Sequence, residues 1–330
     1  MVNGVVVKKM NKVGYGIFIA LFLVSASLVC SEKINIVSTI SIPADFARQV
    51  GGEKVEVTSI VSGSADPHTY SSKPSDLEKI QNAHIILKMG LKDLEPWLDS
   101  AVSSTSFNTS NIIDLKNNIT IQYDPIIDAD NPHYWMSPDN AKIMVYTITA
   151  ALITRDPTNA AYYEANRDVY CVELDALKAR IIAKFTNYSS TKVVVNHPAF
   201  MYLFDIIGVV RIDAIEKKEG SEPSAQDIAS IISKMKSENC TIVVTNYQRV
   251  SSEVKQIARE TDSTIVELTP LLTKDHDSYI SMIEYNVDEL IYRIEYGNKE
   301  ESTISIELLI LISVVVGVSL LGVVLLMRYR

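Results

Sequence analysis

From residue 137 to residue 185 the sequence is helical with one interruption, and that run decides what the rest can be. "SPDNAKIMVYTITAALI" (137–153) starts with serine and proline. After an Asp-Pro break, "DPTNAAYYEANRDVYCVELDALKARIIAKF" (156–185) continues. The second piece carries apolar residues at Val169, Val172, Leu174, Leu177, Ile181 and Ile182. A helix from Asn159 to Phe185 is about 40 Å long at 1.5 Å per residue. That exceeds the span of one small domain and predicts a rod connecting two.

On both sides of the rod, strands alternate with helices. Before it come "KINIVSTI" (33–40), "PADFARQVGG" (43–52), "VEVTSIV" (55–61), "KPSDLEKIQNA" (73–83) and "HIILKMG" (84–90). After it come "KVVVN", "AFMYLFDIIG", "VVRIDAI", "EPSAQDIASIISKMKSEN", "TIVVTN", "SSEVKQIARETD", "STIVEL" and "SYISMIEYNVDELIYRIEYG". Such alternation predicts βαβ units and mostly parallel sheets. The expected fold class is α/β, with two Rossmann-like lobes joined by one long rigid helix.

The ends of the chain carry two apolar runs. "VGYGIFIALFLVSASLV" (13–29), behind Lys8, Lys9 and Lys12, has the layout of an export signal, or of an uncut anchor. Cys30 raises lipidation, although "SLVC" lacks the small residue expected before a lipidated cysteine. "LLILISVVVGVSLLGVVLLM" (308–327) is long enough to cross a ~30 Å hydrocarbon layer. Arg328 and Arg330 behind it predict a cytoplasmic C-terminus. The expected division is a signal or apolar segment at 1–30, an N-terminal lobe at 31–158 and a connecting helix at 159–185. A C-terminal lobe at 186–298, a linker at 299–307, a transmembrane helix at 308–327 and a tail at 328–330 complete it. The lobes are thus expected on the extracytoplasmic face of the membrane.

The net charge is −9, and losing Lys8, Lys9 and Lys12 with the signal takes it to −12. An acidic exported domain excludes nucleic acid as a natural partner and suits cations. Cys171 and Cys240 are the cysteines left after the leader, too few for a disulfide scaffold.

Five histidines are present, and three stand beside prolines: His68 in "SGSADPHTYSSKPSD", His133 in "NPHYW" and His197 in "VNHPAF". His68 follows a predicted strand, His197 ends one, and His133 precedes a helix start. Ligands of open α/β sheets sit beyond the carboxyl ends of strands. Asp277, in "KDHDSYISM", is expected at the N-cap of the last helix of the lobe. Three imidazoles and a carboxylate, two from each half, suit a divalent transition metal. His276 could replace Asp277, and His84, opening a buried strand, reads as structural.

The ordered segments "GSADPHTYSSKPSDLEKIQNAHIILKMG", "NPHYWMSPDNA", "DPTNAAYYEAN", "VVVNHPAFMYLFDIIGV", "EPSAQDI" and "DSYISMIEYNVDEL" resemble the zinc/manganese-binding receptors of ABC transporters. The resemblance covers residues 34–296. It implies two lobes on one long helix and a metal between them, on the positions matching His68, His133, His197 and Asp277. Ser71 stands where the family is often acidic, Pro198 where an aspartate commonly follows the third histidine, and "TNYQ" (245–248) where "AEPQ" is usual. The long His-rich acidic loop of many zinc receptors is absent, and a C-terminal span is unusual in a family that is typically lipidated.

The function this implies is a monomeric receptor, not an enzyme, that hands a divalent ion to an ABC import permease. The donor set favours Zn2+, with Mn2+ next because it prefers oxygen-rich coordination. The competing expectations are a membrane-anchored zinc hydrolase and a surface adhesion protein. Against the hydrolase, four protein ligands would close the site to water, and no H-E-x-x-H is present.

Overall fold

The computed structural model describes residues 32–61, 65–218, 220–247 and 250–297. The first sheet is formed by β1 (Ile34–Ser38), β2 (Val55–Ser59), β3 (Ile85–Lys88) and β4 (Ile112–Asp114), all parallel in the order β2-β1-β3-β4. In register, Ile36 faces Val57 on one side and Ile85 on the other. The central strands are covered on both faces, which is why they read as continuous apolar runs.

Helix α1 (Ser41–Gly51) returns from β1 and buries Ile42, Ala44, Phe46, Ala47 and Val50. It stops at Gly52, whose φ of 51° suits glycine. An added Cβ there would also strike the hydroxyl of Tyr162. The lobe continues through α2 (Pro74–Gln81), α3 (Leu98–Ser103) and a small antiparallel hairpin, β5 (Tyr123–Asp124) with β6 (Ala129–Asp130).

Helix α4 (Pro138–Arg155) has Ser137 as N-cap, its side chain accepting from the Asn140 N–H, and Pro138 at the first position. The Asp156-Pro157 turn reverses the chain, with Asp156 accepting from Asn159 Nδ2 and the Tyr163 hydroxyl. The rod, α5 (Ala160–Phe185), is 26 residues long. Its buried face is Tyr163, Tyr170, Cys171, Leu174, Leu177, Ile181 and Phe185. Val169, Val172 and Ile182, expected to join that face, are exposed, because they fall on the outer arc of the helix. Lys142–Asp175 and Lys178–Asp139 pair the rod with α4, at 2.7 and 2.6 Å.

Beyond the rod, β7 (Lys192–Val195), β8 (Val210–Ala214), β9 (Ile242–Asn246) and β10 (Thr264–Leu268) form a second parallel sheet, ordered β10-β9-β7-β8. In each sheet the first strand lies between the second and the third, so the two lobes repeat one topology. The connecting helices are α6 (Met201–Ile207), α7 (Ala225–Glu238), α8 (Ser252–Thr261) and α9 (Tyr279–Tyr296). Arg180–Glu284 and Lys184–Asp288 fasten the rod to α9, at 2.8 and 2.7 Å.

Among the described residues the apolar core falls into two clusters. The larger runs from Ile36 and Phe46 through Leu174 and Ile181 of the rod to Val195, Leu268 and Met282, crossing both lobes without a break. The smaller lies under α7 and α8, with Val194, Ile231, Met235, Val243, Val254 and Ile257. Polar bonds also cross between the lobes. Trp135 Nε1 donates to the Pro270 carbonyl (2.8 Å), the Tyr279 hydroxyl to the Trp135 carbonyl (2.8 Å), and the Tyr279 N–H to Asp45 (2.8 Å). Arg211 holds the fully buried Asp124 bidentately, at 2.7 and 3.2 Å. Cys171 and Cys240 are both buried free thiols.

One part of the expected architecture is corrected. No helix among the described residues is long and apolar enough to cross a membrane, and even the longest, the rod, is studded with charges. The fold of the described residues is the two lobes and the rod, and the expected C-terminal transmembrane helix is not among its helices. The run at 308–327 lies outside the described residues, as do the leader, linker and tail expectations.

Candidate metal centre

His68 and His133 reach the site by the same local device. In Asp66-Pro67-His68, the Asp66 side chain accepts the His68 N–H at 3.0 Å. In Asn131-Pro132-His133, the Asn131 side chain accepts the His133 N–H, also at 3.0 Å. Each is an Asx turn with proline at its corner, which fixes φ before the histidine and limits the entropy lost on ordering. His197 arrives differently, two residues past the end of β7. Pro198 then opens a short 3-10 turn leading to α6.

The three rings meet in a triangle with centroid separations of 5.7, 5.6 and 4.9 Å. One potential ligand atom from each lies within 4.8 Å of the others. His133 and His197 are 3% and 4% exposed, and His68 is half-buried. They line a cavity of about 200 Å³ with Pro67, Leu94, Trp135, Asn246, Pro270 and Leu271.

The partners of the rings fix their tautomers. His68 Nδ1 lies 2.8 Å from the Asp93 carbonyl oxygen, which can only accept, so Nδ1 carries the proton. His133 Nδ1 donates to Asn131 Oδ1 at 3.0 Å. That oxygen is assigned because Asn131 Nδ2 donates to Asp124 and to the Pro198 carbonyl. His197 Nδ1 donates to Glu216 Oε2 at 3.1 Å. In His68 and His133 Nε2 is thus the lone-pair nitrogen, and Nε2 of His133 stands 3.1 Å from Nε2 of His197, within hydrogen-bond distance. Two imidazole nitrogens that close can share a proton or bind one metal ion between them. An acceptor on the far nitrogen is the arrangement that orients metal-binding imidazoles.

Burial first, then the neighbouring His197, lowers the pKa of His68 to about 4. Burial, His197 and His68 hold His133 well below its ordinary value. Both rings are therefore neutral near pH 7, the form that ligates. Burial works to raise the Glu216 carboxyl, but the hydrogen bond and charge of His197 prevail and keep it below the usual range. The loop supplying the Asp93 carbonyl is pinned by Glu95, which accepts the Met89 and Gly90 N–H groups at 3.0 and 3.1 Å. Burial pushes this carboxyl up to about 6.

Asp277 is not brought to the triangle. It is exposed, and the N-cap expected of it belongs to Ser278, whose side chain accepts from the Ser281 N–H. His276 is also outside the ligand group, stacked on Tyr285 at 3.9 Å. His84 Nδ1 accepts the Asn35 N–H at 2.9 Å, a structural bond. Sequence reasoning missed Asn131, Asp93, Glu216 and Asn246. Asn131 had a readable signal in its repeated Asx-Pro-His turn, and Glu216 and Asn246 in their places at or just past strand ends.

Residues 36–292 match the family described as zinc-uptake complex component A, periplasmic (ZnuA). An iron ABC transporter substrate-binding lipoprotein, MtsA, of Streptococcus pyogenes is 29% identical over 312 residues, covering 86% of this chain and 97% of the relative. A manganese ABC transporter substrate-binding lipoprotein, PsaA, of Streptococcus anginosus is 27% identical, covering 78% and 88%. A crystal structure of ZnuA superposes with a TM-score of 0.70 at 29% identity, covering 81% of this chain and all of that one. The named metals thus differ among these proteins. Both curated relatives are named lipoproteins, so the expected placement at the membrane through a C-terminal transmembrane helix is withdrawn.

Proposed function

The chain belongs to the periplasmic zinc-uptake component A family, and from that premise we propose that His68, His133 and His197 hold one divalent metal ion that the protein passes to an ABC import permease. It is a substrate-binding component of a metal transporter and not an enzyme. The observation that carries the reading is the convergence of three imidazoles across the lobe boundary, with one ligand nitrogen of each within 4.8 Å of the others. A divalent ion at their centre would accept a lone pair from each ring.

Zinc is the cargo the three nitrogens favour, with manganese next, since manganese prefers oxygen-rich surroundings. His68 and His133 belong to the segment before the rod and His197 to the segment after it, so loading ties two lobes together. The rod and the polar bonds between the lobes leave room for a small rocking motion and not a wide hinge. Acidic surface charge raises the rate at which cations arrive without selecting among them.

Metal content and titration of the purified protein test this. One zinc per chain is expected, with loss of tight binding in a His68→Ala, His133→Ala double variant. Full stoichiometry retained by that variant would remove the histidines from the site.

A further inference from the structure

In four places an asparagine is followed, two residues on, by a hydroxyl side chain with no proline between them: Asn108 to Ser110, Asn118 to Thr120, Asn187 to Ser189 and Asn239 to Thr241. That is the acceptor pattern for a sugar joined to an asparagine amide on the surface of an exported protein. All four of these asparagines are exposed. Asn131, Asn196, Asn246 and Asn286, the buried asparagines among the described residues, all lack the hydroxyl.

Three of the four share one end of the fold. Asn108 stands just before β4, Asn187 between the rod and β7, and Asn239 just before β9. They lie at the amino ends of parallel strands. The metal cavity lies at the carboxyl ends, where His197 follows β7, Asn246 ends β9 and Pro270 follows β10. Asn118 follows β4 and so belongs to the carboxyl end. Each of the three sits in a turn. Asn108 caps a short 3-10 turn, its Oδ1 accepting from the Ser110 N–H at 3.1 Å and from the Ser110 hydroxyl at 2.9 Å. Both bonds fall on the oxygen and neither engages Nδ2, the atom a sugar would join. Asn187 lies in the 3-10 turn that follows the rod. Asn239 closes α7 with a φ of 53°, a role its backbone fills.

We propose that Asn108, Asn187 and Asn239 are N-glycosylated, covering the rim of both lobes opposite the metal cavity. The donor is an oligosaccharide carried on a polyprenyl phosphate, and a membrane glycosyltransferase acting on exported chains supplies the catalysis. Asparagine Nδ2 forms a bond to the anomeric carbon of the first sugar. The bond from that carbon to the phosphate oxygen breaks, and the lipid phosphate leaves with its electron pair. The amide gives up one proton to a base of the transferase. A bulky hydrophilic group at these three points shields the base of the lobes and leaves the entrance to the histidines open.

The test is mass spectrometry of peptides from the full-length protein recovered from its own cells. The same chain made in a host without an N-glycosyltransferase is the comparison. Sugar is expected on the peptides carrying Asn108, Asn187 and Asn239 in the first preparation and on none in the second. Ser110→Ala leaves Asn108 in place and should abolish sugar on its peptide alone, while Ser110→Thr should keep it. The two preparations should bind zinc with the same affinity in calorimetric titration. Bare asparagines at all three positions of the native protein overturn the proposal, as does sugar retained on Asn108 in Ser110→Ala. Sugar on Asn118 with the other three bare, or weaker zinc binding by the glycosylated preparation, overturns the placement opposite the cavity.

Discussion

The two lobes repeat one strand order, yet they deliver their histidines to the centre by different means. The N-terminal lobe uses Asx-Pro-His turns twice, and the acceptors behind its rings are neutral: the Asp93 carbonyl and the Asn131 amide. The C-terminal lobe extends a strand, and the acceptor behind its ring is the Glu216 carboxylate. Turns place a ligand locally, whereas a strand end places it through the whole sheet. An ionised acceptor also makes its imidazole a stronger donor than a neutral one does. The lobes differ in packing as well. The second sheet keeps a separate apolar cluster under α7 and α8, while the first sheet shares its core with the rod.

The sharpest way to break this comparison is to damage the separate cluster. Met235→Ala, at a fully buried position there, should cost about 2–5 kcal/mol in chemical denaturation. Zinc affinity should be unchanged, and a parallel loss would mean that the cluster and the centre are coupled. Next in size is the asymmetry of the acceptors. Glu216→Gln should weaken zinc binding by about 10- to 100-fold with little change in metal-free melting. Asn131→Ala should weaken binding and also lower melting, because the same amide donates to Asp124 within its lobe and to the Pro198 carbonyl of the other. If the two variants behave alike, the distinction between the lobes fails.

A smaller effect concerns pH. His68 titrates near 4 in the folded chain against about 6.5 when unfolded, so between those values the unfolded state holds more protons. Metal-free stability should therefore rise with pH across about 4 to 6.5 and be lost on acidification, with His133 acting in the same direction. A His68→Gln variant should flatten that slope in melting scans, and an unchanged slope would place the titration elsewhere. The smallest effect belongs to the rod's surface. Lys184→Met removes the exposed pair with Asp288 and should cost no more than about 1 kcal/mol.

Most of the architecture was readable because it rests on local periodicity. The rod followed from an unbroken helical pattern closed off by Asp156-Pro157, and the lobes from alternating strands and helices. The histidine trio was readable because imidazoles are rare in this chain and stand at the ends of strands or turns. What was not readable depended on distant partners. Glu216 meets His197 across 19 residues, and Asp93 meets His68 across 25. The N-cap expected at Asp277 fell one residue early, because an acidic residue beside a helix start resembles a cap. The capping geometry instead selected Ser278, whose shorter side chain bonds Ser281 and leaves Asp277 facing solvent. Val169 and Val172 misled because apolar residues at near-helical spacing do not all fall on one arc of a long helix.

The uninterrupted cluster running from the first sheet through the rod to the second has a thermodynamic consequence. Two lobes that share one core cannot be opened separately without exposing the apolar side of the survivor. The molecule should therefore unfold cooperatively, as a single all-or-none transition, despite containing two sheets. Only the layer of α7 and α8, seated on its own small cluster, is placed to loosen first, and hydrogen exchange or a protease would find its earliest openings there.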